Sequence, residues 1–318
     1  MIPPMRAVIV TRFGGPEVLE LRDVPEPDAG LQDLLVEPEA IGVNYRDIYE
    51  REGRYGGEAP LINGVEGAGT IAAGPREGER VAWLAAPGSY AERVVVPEER
   101  AVPVPAEISS ETAAAVLLQG VTAHYLATSV YPIQPGDVVL IHAAAGGVGL
   151  LLTQIAKLKG ARVIATTSGG EKAELARGAG ADEVIGYERF GERVRALTGG
   201  EGVAAAYDGV GQATFDESLA SVRTRGTMVL FGAASGPVSP FDPMRLEHEG
   251  SLFLTRPGLR NYSAKRDELL ARAADVFSWV EDGTLDVRIG ARYPLEEARR
   301  AQEDLAARKT TGKLLLLP

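Results

Sequence analysis

The segment Val138–Gly149 reads VVLIHAAAGGVG, and it decides the fold of the middle of this chain. Its leading apolar residues predict a buried strand, its small residues predict a tight turn, and the apolar spacing of Leu150–Leu158 predicts a helix. This order presents backbone N–H groups at a helix N-terminus, where a pyrophosphate can bind. The glycine places of the G-x-G-x-x-G pattern hold Ala144, Gly146 and Gly149. The segment therefore predicts a dinucleotide-binding turn, and a tight turn that holds no ligand is the alternative.

Strands and helices alternate from this segment to about residue 255. Such alternation predicts a parallel sheet with helices on both faces, which is a doubly wound α/β fold. The predicted strands are Val138–Ile141, Arg162–Thr167, Glu183–Ile185, Val203–Tyr207, Thr227–Phe231 and Ser251–Leu254. After the helix of the glycine-turn segment, the further predicted helices are Glu171–Arg177, Phe190–Leu197 and Phe215–Val222.

The two ends of the chain have a different pattern. Short apolar runs between Pro, Gly and Asp turns predict a β-rich N-terminal domain, and we expect the tail to rejoin it. Residues 120–255 are then an inserted domain, and residues 1–119 with 256–318 form the other domain. The predicted elements outside the insertion are Arg6–Val10, Leu34–Glu37, Gly69–Ala72, Arg80–Leu84, Arg93–Val96, the helix Ser110–Leu118 capped by Ser109 or Ser110, the helices Arg266–Asp282 and Leu295–Arg308, and the strand Lys313–Leu317.

Composition limits the classes of function. The chain has 318 residues, enough for about two domains, and its apolar content of 45% and charged content of 24% are typical of a globular protein. A net charge of −11 without a run of basic residues makes nucleic acid and anionic membrane unexpected partners. The absence of cysteine excludes disulfides and fits a cytoplasmic protein. We expect no secretion signal and no stretch long enough to span a bilayer.

The residues after the second predicted strand bear on the choice between NADH and NADPH. In a unit of this kind, an acidic residue about 20 positions past the first glycine binds the ribose hydroxyls of NAD. Here Thr167–Gly170 contains no carboxylate, and Glu171 follows only after two glycines. Ser168 offers a hydroxyl and Lys172 a positive charge for a 2′-phosphate, although Lys172 alone is equally typical of a solvated helix residue. The sequence therefore favours NADPH.

The histidines do not have the spacing of metal ligands. His124, His142 and His248 are far apart, and without cysteine a zinc site would need histidines and carboxylates together. His142 lies in the buried strand before the glycine turn, a position typical of a packed or hydrogen-bonded residue. We expect no metal site.

Several uncommon segments, in order and running nearly from end to end, resemble one family. They are Gly14–Leu19, Gly42–Asp47, Gly64–Gly69, Gln119–Tyr125, the glycine turn, Tyr207–Gly211, Gly250–Pro257 and Lys309–Lys313. In them the chain resembles the zinc-independent quinone oxidoreductases of the medium-chain dehydrogenase/reductase superfamily, the group that includes ζ-crystallin. The resemblance implies a Rossmann-type domain inserted into a GroES-like catalytic domain. Zinc-dependent members place a Cys ligand where this chain has Asn44 and a His ligand where it has Val65, so the resemblance also implies a metal-free protein.

The resemblance further implies roles for individual residues. The contacts to the cofactor pyrophosphate would be Ala145, Gly146, Gly147 and Val148. Those around the adenosine 2′-phosphate would be Lys172, Tyr187 and Arg308, beside Ser168, and those lining the nicotinamide would be Asn44, Thr122, Phe231 and Gly232. The residues facing the substrate would be Asn44, Tyr49, Tyr55 and Arg256. For the tyrosines, ordinary packing is the alternative, and for Glu66 a structural role and a role in chemistry both stay open.

The implied activity is metal-free reduction of a quinone by hydride from NADPH. The protein would supply orientation and a hydrogen-bond donor near the quinone oxygen. An NADPH-dependent reductase of alkenal or enone double bonds is the first alternative, because one fold serves both reactions. A non-enzymatic NADPH- or RNA-binding protein is the alternative of another class, although the charge of −11 opposes RNA binding. The resemblance also implies a homodimer or homotetramer joined through the predicted edge strand Ser251–Leu254.

Overall fold

A computed structural model describes residues 4–318, so residues 1–3 of the predicted first domain lie outside it. The chain forms two compact units. The first unit contains the described residues up to Gln119 together with Arg266–Gly283 and Val287–Pro318. The second unit contains Gly120–Lys265 and Thr284–Asp286.

The elements of the first unit come from both ends of the chain. Its N-terminal strands are β1 (Pro4–Val10), β2 (Leu19–Pro25), β3 (Asp33–Val43), β4 (Leu61–Ile62), β5 (Glu66–Ile71), β6 (Arg80–Leu84), β7 (Val94–Pro97) and β8 (Ala101–Pro103). Helix α1 is Tyr45–Arg51. Helix α2 is Ser110–Tyr125 and continues as a π-helix over Leu126–Val130, so it begins in the first unit and passes into the second after Gln119.

The second unit contains β9 (Val138–Ile141), β10 (Arg162–Thr166), β11 (Glu183–Ile185), β12 (Val203–Asp208), β13 (Val222–Leu230) and β14 (Phe253–Thr255). Its helices are α3 (Gly147–Leu158), α4 (Glu171–Gly178), α5 (Phe190–Leu197), α6 (Phe215–Ser221), α7 (Met244–His248) and α8 (Leu259–Tyr262). The tail adds α9 (Arg266–Glu281), β15 (Ile289–Pro294), α10 (Ala298–Ala306) and β16 (Lys313–Leu317).

The tail completes the main sheet of the first unit. The strand order is β15-β16-β3-β5-β6-β8, with β7 also paired to β3, and β2-β1-β4 form a smaller sheet. Strand β16 runs antiparallel to β3 and places Leu315 opposite Gly42. Leu314 and Leu316 pack with Ile41 and Val8 in a buried apolar cluster. The last strand of the chain is therefore part of the N-terminal core.

The second unit has the predicted doubly wound architecture. Its sheet is parallel throughout, with the order β11-β10-β9-β12-β13-β14. Apolar residues of β9, β10 and β12, such as Leu140, Ile164 and Ala206, are buried between the helices. The carboxyl ends of parallel strands meet at one edge, which is where such sheets bind ligands.

Where boundaries differ from the sequence prediction, backbone irregularities explain the difference. The predicted strand Leu34–Glu37 extends to Val43, because a register shift between Pro38 and Ala40 lets the ladder continue past a residue that cannot donate. Strand β13 begins at Val222 instead of Thr227, with a register shift before regular pairing resumes. Strand β2 has no predicted counterpart, since most of its residues are exposed and no apolar alternation marks it.

One helix is longer than the sequence analysis expected. The predicted helix Ser110–Leu118 continues to Val130, and it is capped by Ser109, whose hydroxyl accepts the N–H of Thr112 at 3.1 Å. By length and composition alone, Ser110–Val130 could cross a membrane, so the expectation that no such stretch exists was wrong. However, 78% of its apolar window is buried inside the protein, as in a core helix.

A buried polar network holds α1. The Asp47 Oδ2 atom accepts the Asn44 N–H and the Tyr90 hydroxyl, both at 2.9 Å. The Asn63 amide donates to the Asp47 carbonyl at 3.2 Å and accepts from Gln302 at 2.6 Å. Asp47 is fully buried, and its Oδ1 has no hydrogen-bond partner among residues 4–318. Burial raises the pKa of Asp47 to about 7, because the carboxylate loses its hydration.

We predict that Asp47→Asn stabilises the protein at pH 8 and does so by less at pH 5, because only part of the interval between pKa 3.8 and about 7 lies below pH 5. Folding raises this pKa from 3.8, so the folded state binds the proton more tightly, and the resulting stability is lost as the pH rises to about 7. The amide avoids the charge, and we expect a gain of about 2–4 kcal/mol in the free energy of unfolding at pH 8. Denaturant unfolding at both pH values measures it, with Asp28→Asn at an exposed carboxylate as the control. An equal change at both pH values would contradict the prediction.

Candidate functional site

The glycine turn between β9 and α3 has the close packing that a dinucleotide site requires. A Cβ on Gly149 would lie 2.4 Å from the Ala143 carbonyl oxygen, so only glycine fits there. Gly146 N–H donates to the same carbonyl at 2.9 Å, and Ala143 carries the left-handed backbone, with φ of 50°. The first place of the pattern, Ala144, therefore needs no glycine. Helix α3 begins at Gly147 without a side-chain cap, which leaves its first backbone N–H groups to bind an anion.

The imidazole of His142 is hydrogen-bonded on both sides, as its position in the sequence indicated. Its Nδ1 lies 2.7 Å from Thr166 Oγ1, and its Nε2 lies 2.8 Å from Ser218 Oγ. Ser218 in turn donates to Asp208 Oδ2 at 2.9 Å. Burial lowers the pKa of His142, because the charged imidazolium would lose its hydration. The ring is therefore a neutral link between hydroxyl groups.

A cavity of about 530 Å³ opens beyond the end of β10. It is lined by Thr167, Gly169, Gly170, Ala173, Glu174, Arg177, Val184, Ile185 and Gly186. Ser168, which is exposed, and Lys172 on the first turn of α4 lie among these residues in sequence. The walls also include Arg177, whose guanidinium pairs with Glu174 at 2.5 Å and which sequence reasoning did not select.

Tyr187, just after β11, is joined to the glycine turn. Its hydroxyl oxygen accepts the Ala143 N–H at 3.0 Å, and its ring stacks near His142 with centroids 6.1 Å apart. A hydroxyl that accepts in this bond can still donate its hydrogen to a phosphate oxygen. The structure thus brings Tyr187, which the resemblance predicts to bind the 2′-phosphate, next to the glycine turn.

The residues of the second unit that were predicted to line the nicotinamide or face the substrate lie on three different segments. Phe231 and Gly232 follow β13, and their N–H groups donate to the Asp208 carbonyl at 2.8 and 3.3 Å. Thr122 is buried in α2. Arg256 follows β14, is exposed, and donates to the Pro257 carbonyl at 3.3 Å.

Arg308 belongs to the first unit, directly after α10. It is exposed and has a left-handed φ of 56°. Its predicted contact with the 2′-phosphate stays a prediction, as does that of every other proposed cofactor residue.

In the first unit, Asn44 lies in a buried ionic cluster. Its Oδ1 accepts the Lys313 ammonium at 2.9 Å and the Gln119 amide at 2.6 Å. Its Nδ2 donates to Glu66 Oε2 at 3.0 Å and to the Gly42 carbonyl at 3.2 Å. The oxygen and the nitrogen of the side-chain amide therefore each have two hydrogen-bond partners. A substrate could form a hydrogen bond with this amide only by displacing one of them.

Glu66 in the same cluster is held from three directions. Its Oε2 pairs with Lys313 at 2.5 Å and also accepts Asn44, while its Oε1 accepts the Leu118 N–H at 2.8 Å. The carboxylate and the ammonium are both almost completely buried. A carboxylate engaged in this way is poorly suited to act as a general base, since protonation would break the ion pair.

Aromatic and cationic side chains cluster along α1 and the turn after it. The rings of Tyr49 and Tyr55 are 6.3 Å apart, edge to face. The Arg54 guanidinium lies 4.8 Å from the Tyr49 ring centre, and that of Arg46 lies 5.3 Å from the Tyr55 ring centre. Tyr55 is 58% exposed. This group can bind a planar acceptor and offer hydrogen-bond donors to it.

Sequence reasoning missed the residues that hold these groups in place. Lys313 and Gln119 fix Asn44 from distant parts of the chain, and although both lie in segments that carry the family resemblance, nothing in those segments indicates a contact with Asn44. Arg46 and Arg54 had a weak signal, because each neighbours a tyrosine in sequence. Across residues 4–318, no group of three or more His, Cys, Asp or Glu side chains has an arrangement that could hold a metal ion.

Comparison with known proteins places both units in characterised families. Residues 147–269 match the zinc-binding dehydrogenase family, and residues 30–106 match the alcohol dehydrogenase GroES-like domain. The chain is 44% identical over 316 residues to a quinone oxidoreductase of Pseudomonas aeruginosa, covering 96% of this chain and 97% of the relative. It is 37% identical over 331 residues to a 2-haloacrylate reductase of a Burkholderia species, covering 98% of each.

A solved structure agrees with these relatives. A mycobacterial protein in complex with NADPH is 50% identical, with a TM-score of 0.96 over 99% of this chain and 100% of that one. With such identity over nearly its full length, the chain belongs to the quinone oxidoreductase family of the medium-chain dehydrogenase/reductase superfamily.

Proposed function

We propose that this chain is an NADPH-dependent quinone reductase. The observation that carries the proposal is the uncapped N-terminus of α3 behind a turn in which Gly149 packs against Ala143. Ala145, Gly146, Gly147 and Val148 would bind the cofactor pyrophosphate there through backbone N–H groups. The NADPH complex of a mycobacterial relative supports the choice of cofactor.

The residues beyond β10 and β11 support NADPH over NADH. Ser168 and Lys172 would bind the 2′-phosphate, Tyr187 would donate its hydroxyl, and Arg308 would add a second positive charge. The segment Thr167–Gly170 contains no carboxylate that would repel a phosphate. Glu174 lines the cavity, but its charge is balanced by Arg177.

We also propose a division of labour between two domains. Residues 120–255 would bind the dinucleotide, and residues 1–119 with 256–318 would bind the acceptor. The compact unit whose first segment ends at Gln119 supports the first of these divisions, whereas residues 256–265 belong to the same compact unit as residues 120–255.

When bound, NADPH supplies a hydride, and the side chains of α1 and its following turn would receive the acceptor. Negative charge builds on a quinone oxygen during reduction, so donors and positive charge near that oxygen favour the reaction. The phenolic hydroxyls of Tyr49 and Tyr55 would donate to the oxygen, with Arg46 and Arg54 beside them. Each guanidinium is paired with a carboxylate, Arg46 with Glu50 at 3.9 Å and Arg54 with Glu52 at 2.7 Å, so the phenolic donors would be the main stabilising groups. Solvent can deliver the remaining proton, since Tyr55 is largely exposed.

Other predicted residues would position the reacting groups. Thr122, Phe231, Gly232 and the amide of Asn44 would line the nicotinamide, and Arg256 would face the acceptor. Because Lys313 and Gln119 hold the Asn44 carbonyl oxygen, its amide plane is fixed before any ligand binds. We assign Glu66 a structural role as the buried partner of Lys313.

A second candidate function is reduction of an activated carbon–carbon double bond. The observation that favours it is the relative named 2-haloacrylate reductase, which is 37% identical. The same fold and the same donors would serve an enone carbonyl.

The assembly and location are also proposals. Strand β14 lies at the edge of its sheet, and Phe253 on it is 64% exposed, which supports pairing of this edge in a homodimer or homotetramer. The cysteine-free sequence supports a cytoplasmic location.

We predict fast NADPH oxidation with an ortho-quinone, slower oxidation with an alkenal, and little oxidation of ethanol with NADP. Ethanol should react poorly because Asn44 and Val65 stand where zinc-dependent relatives carry metal ligands, and a metal is what polarises an alcohol oxygen. Absorbance of NADPH with each acceptor, alone and in competition, measures the rates. Faster turnover of the alkenal would move the function to enone reduction. Tight NADPH binding without turnover of any acceptor would support the non-enzymatic alternative.

We predict that Lys172→Ala weakens NADPH binding and leaves NADH binding unchanged. A charge-assisted bond to phosphate is worth about 1.5–3 kcal/mol, so the Kd for NADPH should rise by roughly ten- to a hundredfold. Titration calorimetry with each cofactor measures the change, and Lys159→Ala, directly after the preceding helix α3, is the matched control. An equal loss for both cofactors would show that Lys172 does not read the 2′-phosphate.

A further inference from the structure

A series of hydrogen bonds between buried side chains joins three strands at the carboxyl edge of the parallel sheet. Thr166 ends β10, His142 follows β9, and Asp208 ends β12. The contacts run from Thr166 Oγ1 to His142 Nδ1 at 2.7 Å, from His142 Nε2 to Ser218 Oγ at 2.8 Å, and from Ser218 Oγ to Asp208 Oδ2 at 2.9 Å. All four residues are buried.

The carboxylate at the end of this series of hydrogen bonds fixes which group donates in each bond. Asp208 Oδ1 accepts the N–H groups of Val210 and Gly211 at 2.7 and 2.9 Å. Its Oδ2 accepts the hydroxyls of Thr214 at 2.7 Å and Ser218 at 2.9 Å. Four donors fill the acceptor sites of an ionised carboxylate, which has no hydrogen of its own to give. Ser218 must therefore donate toward Asp208.

The tautomer of His142 follows from that direction. Because Ser218 gives its only hydrogen to Asp208, it can only accept from His142, so Nε2 carries the hydrogen. Nδ1 is then an acceptor, and Thr166 donates to it. Each hydroxyl and each ring nitrogen has one consistent role, and the imidazole is neutral.

The residues of this hydrogen-bond series adjoin three segments of the proposed cofactor site. His142 immediately precedes the glycine turn, and its ring stacks near Tyr187, whose hydroxyl is bonded to Ala143 N–H. The Asp208 carbonyl accepts the N–H groups of Phe231 and Gly232.

The apolar and buried surroundings of the His142 ring favour the neutral imidazole over the charged form. Phe190 packs against it edge to face at 4.8 Å. The carboxylates of Asp208 and Glu217 act in the opposite direction and raise the pKa of His142, but the effect of burial is larger and lowers it. The Tyr187 phenol lies beside the ring.

We propose that His142 is a positioning residue for the dinucleotide, held as the Nε2–H tautomer by Asp208 through Ser218. This proposal rests on the proposed function, because it assumes that NADPH binds at the glycine turn. The imidazole touches no reacting atom. It fixes the backbone of the turn and the ring of Tyr187, so that both are in position before the cofactor arrives.

The tautomer is tested by ¹⁵N NMR of histidine-labelled protein without cofactor. The wild-type spectrum should show His142 neutral, with hydrogen on Nε2, and His142→Gln identifies its signals among the three histidines. In Asp208→Asn, the side-chain amide would donate to Ser218, which would then donate to Nε2. We expect the ring to change to the Nδ1–H tautomer. A wild-type Nδ1–H ring, a charged ring, or an unchanged tautomer in Asp208→Asn would overturn the proposal.

The effect on the cofactor is tested by binding and kinetics. His142→Leu should raise the Kd for NADPH by about tenfold, while kcat at saturating NADPH changes by less than about threefold. His142→Gln can donate and accept at similar positions and should recover most of the affinity. His248→Gln, at an exposed histidine on α7, is the matched control. If His142→Leu does not fold, Ser218→Ala removes the acceptor of Nε2–H and should give the same weakening.

The outcomes separate this proposal from the proposed function. Equal affinity in wild type, His142→Leu and Ser218→Ala would overturn the positioning role while NADPH binding stands. A loss in His142→Gln as large as that in His142→Leu would overturn it too, since any change in packing would then suffice. Failure of the wild-type protein to bind NADPH would overturn the proposed function itself, even with the tautomer as expected.

Discussion

The buried ion pair between Lys313 and Glu66 is the constraint on which the first unit depends. Burying both charges costs several kcal/mol each, and only their mutual attraction and further hydrogen bonds offset that cost. The cluster supplies those bonds, since Glu66 also accepts Asn44 and Leu118 N–H. The pair therefore requires the last strand to pair with β3, which separates it from Glu66 on β5. Without β16, the Glu66 carboxylate would be buried with no positive charge beside it. The two ends of the chain form one unit for this reason.

The second unit depends on a different constraint, the close approach of backbone at the glycine turn. Gly149 packs against Ala143 with no room for a Cβ, which brings α3 close to the carboxyl end of β9. Beneath that turn, Asp208 collects four donors and orders the side chains that join β12 to β9 and β10. The carboxylate of Asp208 and its hydrogen bonds thus order the carboxyl edge of the parallel sheet, where a dinucleotide requires fixed geometry.

Local patterns predicted most of the second unit. Apolar runs and glycine spacing are properties of neighbouring residues, so the strands of the parallel sheet, the turn and the residues after β10 could be read from the sequence. The irregular entry of β13 was missed because its exposed residues have no alternation. Lys313, Gln119 and Asp208 were missed for another reason. Their partners are distant in sequence or depend on hydroxyl geometry, and only the folded chain brings them together.

The saturation of Asn44 bears on where acceptor specificity resides. Its amide has four partners within its own unit, so it contributes a fixed surface and has little capacity to adapt to different acceptors. The side chains of α1 and the following turn differ in this respect. Tyr55 is largely exposed, and Arg46 Nη1 is buried without a hydrogen-bond partner among residues 4–318. Arg46 Nη1 lies 3.9 Å from Glu50 Oε1, which is an ion pair too long for a hydrogen bond, so a ligand oxygen could supply the bond that Nη1 lacks. If the acceptor binds at α1 as proposed, its specificity would therefore depend on Tyr49, Tyr55 and Arg46 more than on the fixed amide of Asn44.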